Sequence, residues 1–304
     1  MDTTTSNSLH YPQKACAKTR AVLKETNNLT WTVGQVRITR VEEVVTYMDA
    51  SVLMPSFTPD MLDPHRDWLV PNFFSERNGK MALSIHSFVV ESQGTTIVID
   101  TCVGGQDKGL PSDPNFPDRL DAAIEGGLGA VDIVLCTHLH FDHVGWNMRT
   151  VNGQRVPTFP NARYLFAKVE VDHTRTDDHM RVLGPSIDPI IDAGMADLVE
   201  TNHTVTSEVC LLPTPGHTPG HVSVLIESDG ESALITGDMT HTPLQFALPD
   251  LAASAFDTDS DQSTQTRIDI IERFADSDTL VLGTHFAPPT AGHVKRSGGY
   301  VRFA

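Results

Sequence analysis

His138, His140, Asp142 and His143 fall within six residues, in the run T-H-L-H-F-D-H-V-G at 137–145. Imidazole and carboxylate are the donors expected for zinc or a similar divalent ion. Residues two apart on extended backbone point to one side, so His138 and His140 can face one ion while Asp142 and His143 fall at the turn that follows. Three further segments put a donor just after an apolar run: His217 in LLPTPGHTPGH, Asp238 in LITGD and His285 in LVLGTHF. The total is five His and two Asp. One zinc takes four or five ligands, so seven donors suit two ions that share a carboxylate, with Asp238 as the bridge. Two ions about 3.5–4 Å apart lower the pKa of a bridging water and yield a hydroxide nucleophile at neutral pH. No redox partner or covalent nucleophile accompanies the donors. Hydrolysis is the expected chemistry.

The donors must be carried by strand ends. Val131–His138 is a short apolar run of the type buried on both faces. Val36–Val45, Leu83–Ser92, Thr95–Cys102, Arg163–Phe166, Val209–Leu212, His221–Ser228, Ser232–Asp238 and Thr279–His285 also read as strands, with a Gln93-Gly94 turn between the second and third. Helices are predicted over Asp118–Glu125, with Asp118 as N-cap, and over Lys168–Asp178, Ser186–Ala193 and Gln262–Ala275. In the last of these Ile268, Ile271, Phe274 and Ala275 form the apolar stripe. Strands mixed with helices in both halves predict two facing sheets with helices outside. Residues 47–80, rich in Pro, Met and aromatics but without period, read as a long loop lining a site. Residues 1–30 read as a flexible or loosely docked extension, and residues 31–304 as one domain.

The chain has 304 residues, with 22 Lys+Arg against 39 Asp+Glu and a formal charge of −17. That balance argues against nucleic acid and anionic membrane as partners, since both are bound through clustered cations. No apolar run approaches the roughly 20 residues of a membrane span, and the polar start lacks a signal-like core. Four cysteines without CxxC spacing fit free thiols in a reducing, cytoplasmic setting. Fourteen histidines are the unusual entry in the composition.

The HxHxDH run His138–His143, the PGHTPGH around His217, the Gly237-Asp238 pair and the GTH ending in His285 resemble the metallo-β-lactamase superfamily, in its order and across about residues 35–300. The resemblance implies an α/β fold, an αβ/βα four-layer sandwich with metals at one edge of its sheets. It implies that His138, His140 and His217 hold a first ion, that Asp142, His143 and His285 hold a second, and that Asp238 bridges them. It also implies that Asp100 orients a ligand His from behind. Within the superfamily the flanks are similar to acyl-homoserine-lactone lactonases and methyl parathion hydrolase-like enzymes. The implied activity is attack by a metal-bridging hydroxide on a neutral lactone or ester, with two divalent ions, zinc foremost, as cofactors. Organophosphate triester hydrolysis is the alternative, followed by a non-catalytic metal-binding protein. Asp238, Asp142 and His241 are the candidate catalytic residues. His241 stands where the lactonases carry a Tyr, and could donate to an oxyanion or protonate a leaving alkoxide.

The motif segments offer a single cation, Arg149, which favours neutral small-molecule substrates over charged phosphates. A homodimer is left open. His221 reads as a buried hydrogen-bonding residue and His86 as a core or pocket-wall histidine. His10, His65, His173, His179, His203 and His293 have no donor neighbours and read mostly as solvated. Phe141 and Trp146 are candidates for an apolar wall, as are Met48, Met54, Phe57, Trp68, Phe73 and Phe74.

Overall fold

The computed structural model describes residues 28–105, 111–176, 184–253 and 255–304. The first sheet holds β1 (Thr30–Val33), β2 (Val36–Asp49), β3 (Phe74–Ser75), β4 (Lys80–Ser92), β5 (Thr95–Ile99) and β6 (Ile133–Leu135). After the separate hairpin of β7 (Met148–Val151) and β8 (Gln154–Pro157), it is completed by β9 (Arg163–Ala167) and β10 (Ala196–Val199). Its order is β1-β2-β4-β5-β6-β9-β10, with β3 beside β4. The second sheet runs in sequence order through β11 (Val209–Pro213), β12 (Val222–Ser228), β13 (Glu231–Ile235), β14 (Leu280–Leu282) and β15 (Ala291–Gly292). A terminal hairpin pairs β16 (Val294–Ser297) with β17 (Tyr300–Phe303).

Three apolar clusters define the layers. Between the sheets, Ile38, Phe88, Val90, Ile97 and Leu135 meet Leu211, Val222, Val224, Ile226 and Ile235. Outside the first sheet, Val89, Val98, Val134 and Phe166 pack on α3 (Phe116–Ala123), α5 (Lys168–Thr176) and α6 (Gly184–Asp192). α1 (Ala50–Leu53) and α2 (Arg66–Leu69) precede these in the chain, and the short α4 (Phe141–Val144) lies between α3 and α5. Outside the second sheet, Leu225, Leu234 and Val281 pack on α7 (Leu244–Ala247) and α8 (Ser260–Phe274). This is the expected αβ/βα four-layer sandwich. Strands covered on both faces explain why β4 reads as a nearly unbroken buried run.

β5, β6 and β9 pair in parallel, as do β13 and β14, so the donor segments after β6, β13 and β14 leave the carboxyl ends of parallel strands, while that of His217 leaves the antiparallel edge strand β11. The carboxyl ends of parallel strands are where open α/β sheets gather functional groups. Several strands stop earlier than their sequence runs suggest. β5 ends at Ile99 because Asp100 and Cys102 take left-handed backbone (φ 57° and 56°), and β6 spans only Ile133–Leu135. The shortening frees residues 136–140 and 236–238 to turn into the site.

Three expectations need correction. Residues 47–80 are not a loop: β2 continues to Asp49, and α1, a 3-10 helix at Pro59–His65, α2 and β3 follow. Elements of four residues are too short to show a period. The first of the predicted helices starts at Phe116 with Pro in its first turn, so Asp118 lies inside it and does not cap it. In α8 the buried stripe is Thr266, Arg267, Ile270, Ile271 and Phe274, and Ile268 is only half-buried. Arg267 can occupy the core side because its guanidinium donates to Pro249 O, Met239 O and Ser263 Oγ. Residues 1–27 of the expected N-terminal extension, and the last two residues of the helix predicted to Asp178, lie outside the described residues.

Candidate metal centre

All seven predicted donors come together. His138 and His140 follow β6, Asp142 and His143 sit on α4, His217 follows β11, Asp238 follows β13 and His285 follows β14. His140 Nδ1 lies 2.9 Å from both His138 Nε2 and His217 Nε2. The donor atoms of these three lie within 4.8 Å of one another, as do those of Asp142, His143 and His285, and those of His138, His143 and Asp238. Asp238 Oδ2 is the common point: it is 3.2 Å from His143 Nε2 and His285 Nε2, 3.5 Å from His217 Nε2 and 3.8 Å from His138 Nε2.

Surrounding groups aim the rings from behind. His143 Nδ1 donates to Asp100 Oδ2 at 2.9 Å, and Asp100 Oδ1 accepts the Thr137 backbone N–H at 2.8 Å. His217 Nδ1 donates to Asp257 Oδ1 at 2.9 Å, and His285 Nδ1 donates to Ser84 O at 3.0 Å. In His143, His217 and His285 the ring nitrogen facing away from the cluster is thus engaged, which fixes tautomer and direction. The two sheets are also stitched here, through Ser84 N–H to His285 O and Val222 N–H to Thr137 O, both 2.9 Å.

A fit test for cations rests on the atoms left over. His143 Nε2 and Asp238 Oδ1 are buried without a hydrogen-bond partner. Buried polar groups rarely stay unpaired, and His143 Nε2 faces the Asp238 carboxylate at the middle of the cluster. The site therefore fits divalent ions, with His138, His140 and His217 able to hold one and Asp142, His143 and His285 another.

The electrostatics agree. Burial, reinforced by neighbouring imidazoles, holds His138 and His217 well below the usual histidine range, and burial brings His140 to about 4. These rings stay neutral, as ligation requires. Burial also opposes charge on His143 and His285, but the carboxylates facing them outweigh it and raise both. Asp238, which burial alone would raise, is held well below the carboxylate range by His143, His285 and His241.

A pH dependence follows for the metal-free protein. Burial depresses His65, His86, His138, His140, His217 and His221, with His140 and His221 at about 4. Between the ordinary value of about 6.5 and about 4, the unfolded chain binds more protons at these positions, so stability falls as pH falls. His143 and His285, raised, act oppositely: their contribution is full below the unfolded value and lost as pH rises through the folded one. These six and the depressed Asp238 carboxylate outnumber the buried groups that act oppositely, His143, His285, Glu43 and Glu170, and set the sign. The Tm of stripped protein should drop from pH 7 to 4.5, and a rising Tm would refute this balance.

The cluster floors a cavity of about 560 Å³. Met48, Leu53, Leu83, Ile85, Phe141 and Phe256 give it apolar walls, and His241, Asp257 and His173 also line it. His241 stacks on His285 with the ring planes 5° apart, its backbone N–H donates to Gln245 Oε1 at 2.7 Å, and its Nε2 lies 3.3 Å from Asp238 Oδ2. His241 Nδ1 is buried without a partner. His221 is the buried residue expected, accepting the Asp238 N–H on Nε2 at 2.7 Å. His86 is buried on β4 and bonds Ser84 Oγ.

Other expectations fail. Of the six early apolar residues only Met48 lines the cavity; Met54, Phe73 and Phe74 are buried in the cluster outside the second sheet, and Phe57 and Trp68 pack against it. Trp146 is no wall residue, because its indole N–H points inward to Glu43. His173 lies on the cavity and His65 is buried against Trp68 and Tyr300, so neither is solvated. His10 and His179 lie outside the described residues. Asp257, Glu43, Glu170 and Gln245 were not singled out from sequence, where isolated acidic and amide residues carry no spacing signal.

Known proteins resemble this chain in sequence and in fold. An N-acyl homoserine lactonase from a Bacillus species is 31% identical over 114 residues, 37% of this chain and 40% of that protein. YobT of Bacillus subtilis, an uncharacterized protein, is 28% identical over 160 residues, 51% of this chain and 61% of YobT. The match thus spans well under two thirds of each relative's length. Among solved structures, a hydrolase of the beta lactamase superfamily, AbOPH, superposes with TM-score 0.76 at 22% identity, covering 92% of this chain and 98% of that one. AidC, a dizinc quorum-quenching lactonase, superposes with TM-score 0.75 at 19% identity, covering 91% and 96%. At such identities the likeness is one of fold. The family profile of the metallo-beta-lactamase superfamily matches residues 82–285, and with the donor cluster at the strand ends this chain belongs to that superfamily.

Proposed function

We propose that this chain is a dinuclear metal-dependent hydrolase of neutral lactones or carboxylic esters, with zinc as the ion its donors suit. The observation that carries the reading is the joining of two donor sets through Asp238 beneath an apolar cavity. Among the described residues lining that cavity none is Lys or Arg, while Asp142, Asp238 and Asp257 are present. An anionic substrate would find no cationic side chain there; a neutral ester loses nothing by entering.

When bound, two divalent ions supply Lewis acidity toward a carbonyl oxygen and an acidified water as nucleophile. The chain's residues do the rest. Asp100, Asp257 and the Ser84 carbonyl hold His143, His217 and His285 in register. Met48, Leu53 and Phe256 exclude water and take up the substrate's apolar part. His241, fixed through Gln245, donates to the carbonyl oxygen as charge develops there. Asp142, the more exposed of the two ligand carboxylates, faces the cavity and can take the proton released by the attacking water and pass it to the leaving alkoxide.

His241→Phe should lower kcat by roughly 10- to 1,000-fold with metal content unchanged. An unaltered kcat would remove His241 from the mechanism. The substrate class is tested by a chromogenic and pH-stat panel of lactones, aryl esters, phosphotriesters and phosphomonoesters. Lactones and esters should be turned over best, and phosphomonoesters least. Preference for phosphotriesters would favour the organophosphate reading, since these substrates are neutral too.

A further inference from the structure

Two buried glutamates outside the donor set each grip the backbone beside one half of the centre. Glu170, in the first turn of α5, is 1% exposed. Its Oε1 accepts the Gly220 N–H at 2.7 Å and its Oε2 accepts the Leu139 N–H at 3.3 Å. Leu139 lies between His138 and His140, and Gly220 closes the turn that carries His217. One carboxylate therefore spans both chain segments of the first donor set. Gly220 permits this approach, because a Cβ there would come within 2.8 Å of Glu170 N and 2.9 Å of its Cγ.

Glu43 does the corresponding job for the second set. It is the extra residue of a β-bulge, where the β2–β4 register shifts between Glu42 and Val44. A bulge re-aims a side chain that strand alternation would send elsewhere, and Glu43 is 4% exposed. Its Oε2 accepts the Val103 N–H at 2.8 Å; its Oε1 accepts the Trp146 indole N–H at 2.8 Å and the Asp113 N–H at 3.3 Å. Val103 follows Asp100, which orients His143, and Trp146 follows α4, which carries Asp142 and His143. The same two segments are laced directly, by Thr101 N–H to His143 O at 2.7 Å and Gly145 N–H to Cys102 O at 2.8 Å.

We propose that Glu170 and Glu43 are positioning residues, each setting the donor spacing of one ion: Glu170 for His138, His140 and His217, Glu43 for Asp142 and His143. In both, each carboxylate oxygen accepts an N–H, an arrangement that selects the ionised form and that a neutral amide can only half reproduce. Burial raises both acids, and these N–H donors pull against it. The proposal rests on the two-ion reading above, and its test separates the two.

The probe is cadmium, read by 113Cd NMR on the loaded full-length chain, with affinities from competition against a chelating dye. The unmodified protein should give two resonances, assigned by loss of one in His217→Ala and of the other in His285→Ala. Glu170→Gln should shift the first resonance and weaken that ion by about 10- to 100-fold, leaving the second within error. Glu43→Gln should do the reverse. If either Gln variant fails to fold, Glu170→Asp and Trp146→Phe make the same comparison more gently. Equal effects on both resonances, or none, overturn the clamp assignment, since loss of fold stability alone would not sort by site. Anything other than two resonances in the unmodified protein overturns the two-ion reading first, and the clamps with it.

Discussion

Asp238→Asn is expected to reduce bound metal from two ions per chain to one or none, and to cut lactone turnover by about 1,000-fold or more, the scale of losing several kcal/mol of metal-ion catalysis. Asp238 Oδ2 lies within 3.8 Å of the Nε2 atoms of His138, His143, His217, His241 and His285. Among the described residues the other carboxylates at the centre pair within one set each, Asp142 with His143 and His285, Asp100 with His143, and Asp257 with His217. An amide keeps the shape but removes the charge that holds two cations together, and presents an NH2 where an acceptor is needed. His143 and His285, raised chiefly against the pull of burial by this same carboxylate, would also become harder to protonate in the metal-free protein. Elemental analysis and a pH-stat rate check both halves. Two retained ions with an unchanged rate would refute the bridging role.

The second large effect is expected from Gly145→Ala, one atom placed behind the centre. A Cβ at Gly145 would lie 1.8 Å from Val103 O and 2.1 Å from Val103 C, both backbone atoms. No rotamer change relieves such a contact, so either α4 or the Asp100–Gly105 turn must move. Overpacking in a close-packed region costs about 1–3 kcal/mol, occasionally more, and here the displacement falls on the segments that position Asp142 and His143. The variant should melt several degrees lower and lose the second ion while keeping the first. A protein with normal Tm and two ions would mean that the turn yields freely and that the close approach has no consequence for the site.

How much of this was legible in the sequence depends on how closely the letters of each feature stand together. The HxHxDH run carries its chemistry in six residues, and His217, Asp238 and His285 each announce themselves by ending an apolar run. The four-layer order followed from strands and helices alternating in both halves. Glu43 and Glu170 were not legible. Glu43 meets Trp146 at 103 residues' separation, and Glu170 meets Leu139 and Gly220 at 31 and 50. Among 39 acidic residues neither has a distinguishing neighbour. Asp257 reaches His217 across 40 residues for the same reason. The error over residues 47–80 has a different cause. Helices of four residues and a two-residue strand have no measurable period, and while Leu53 reaches the cavity, Ala50, Leu69 and Phe74 turn into the core beside the second sheet. In α8 a buried arginine displaced an isoleucine from the expected stripe because backbone carbonyls at Pro249 and Met239 satisfy it, which only the tertiary structure reveals.

Two ions in one carboxylate-bridged centre are proposed to make this chain a hydrolase of neutral lactones or esters. The most direct test is to strip the protein with chelator, return zinc in measured steps and follow hydrolysis of a neutral acyl lactone by pH-stat at each step. The rate should be negligible in the stripped protein, climb as zinc is added and level off at about two ions per chain. Full activity without added metal, or two zinc ions bound with no hydrolysis of any lactone or ester, would contradict it.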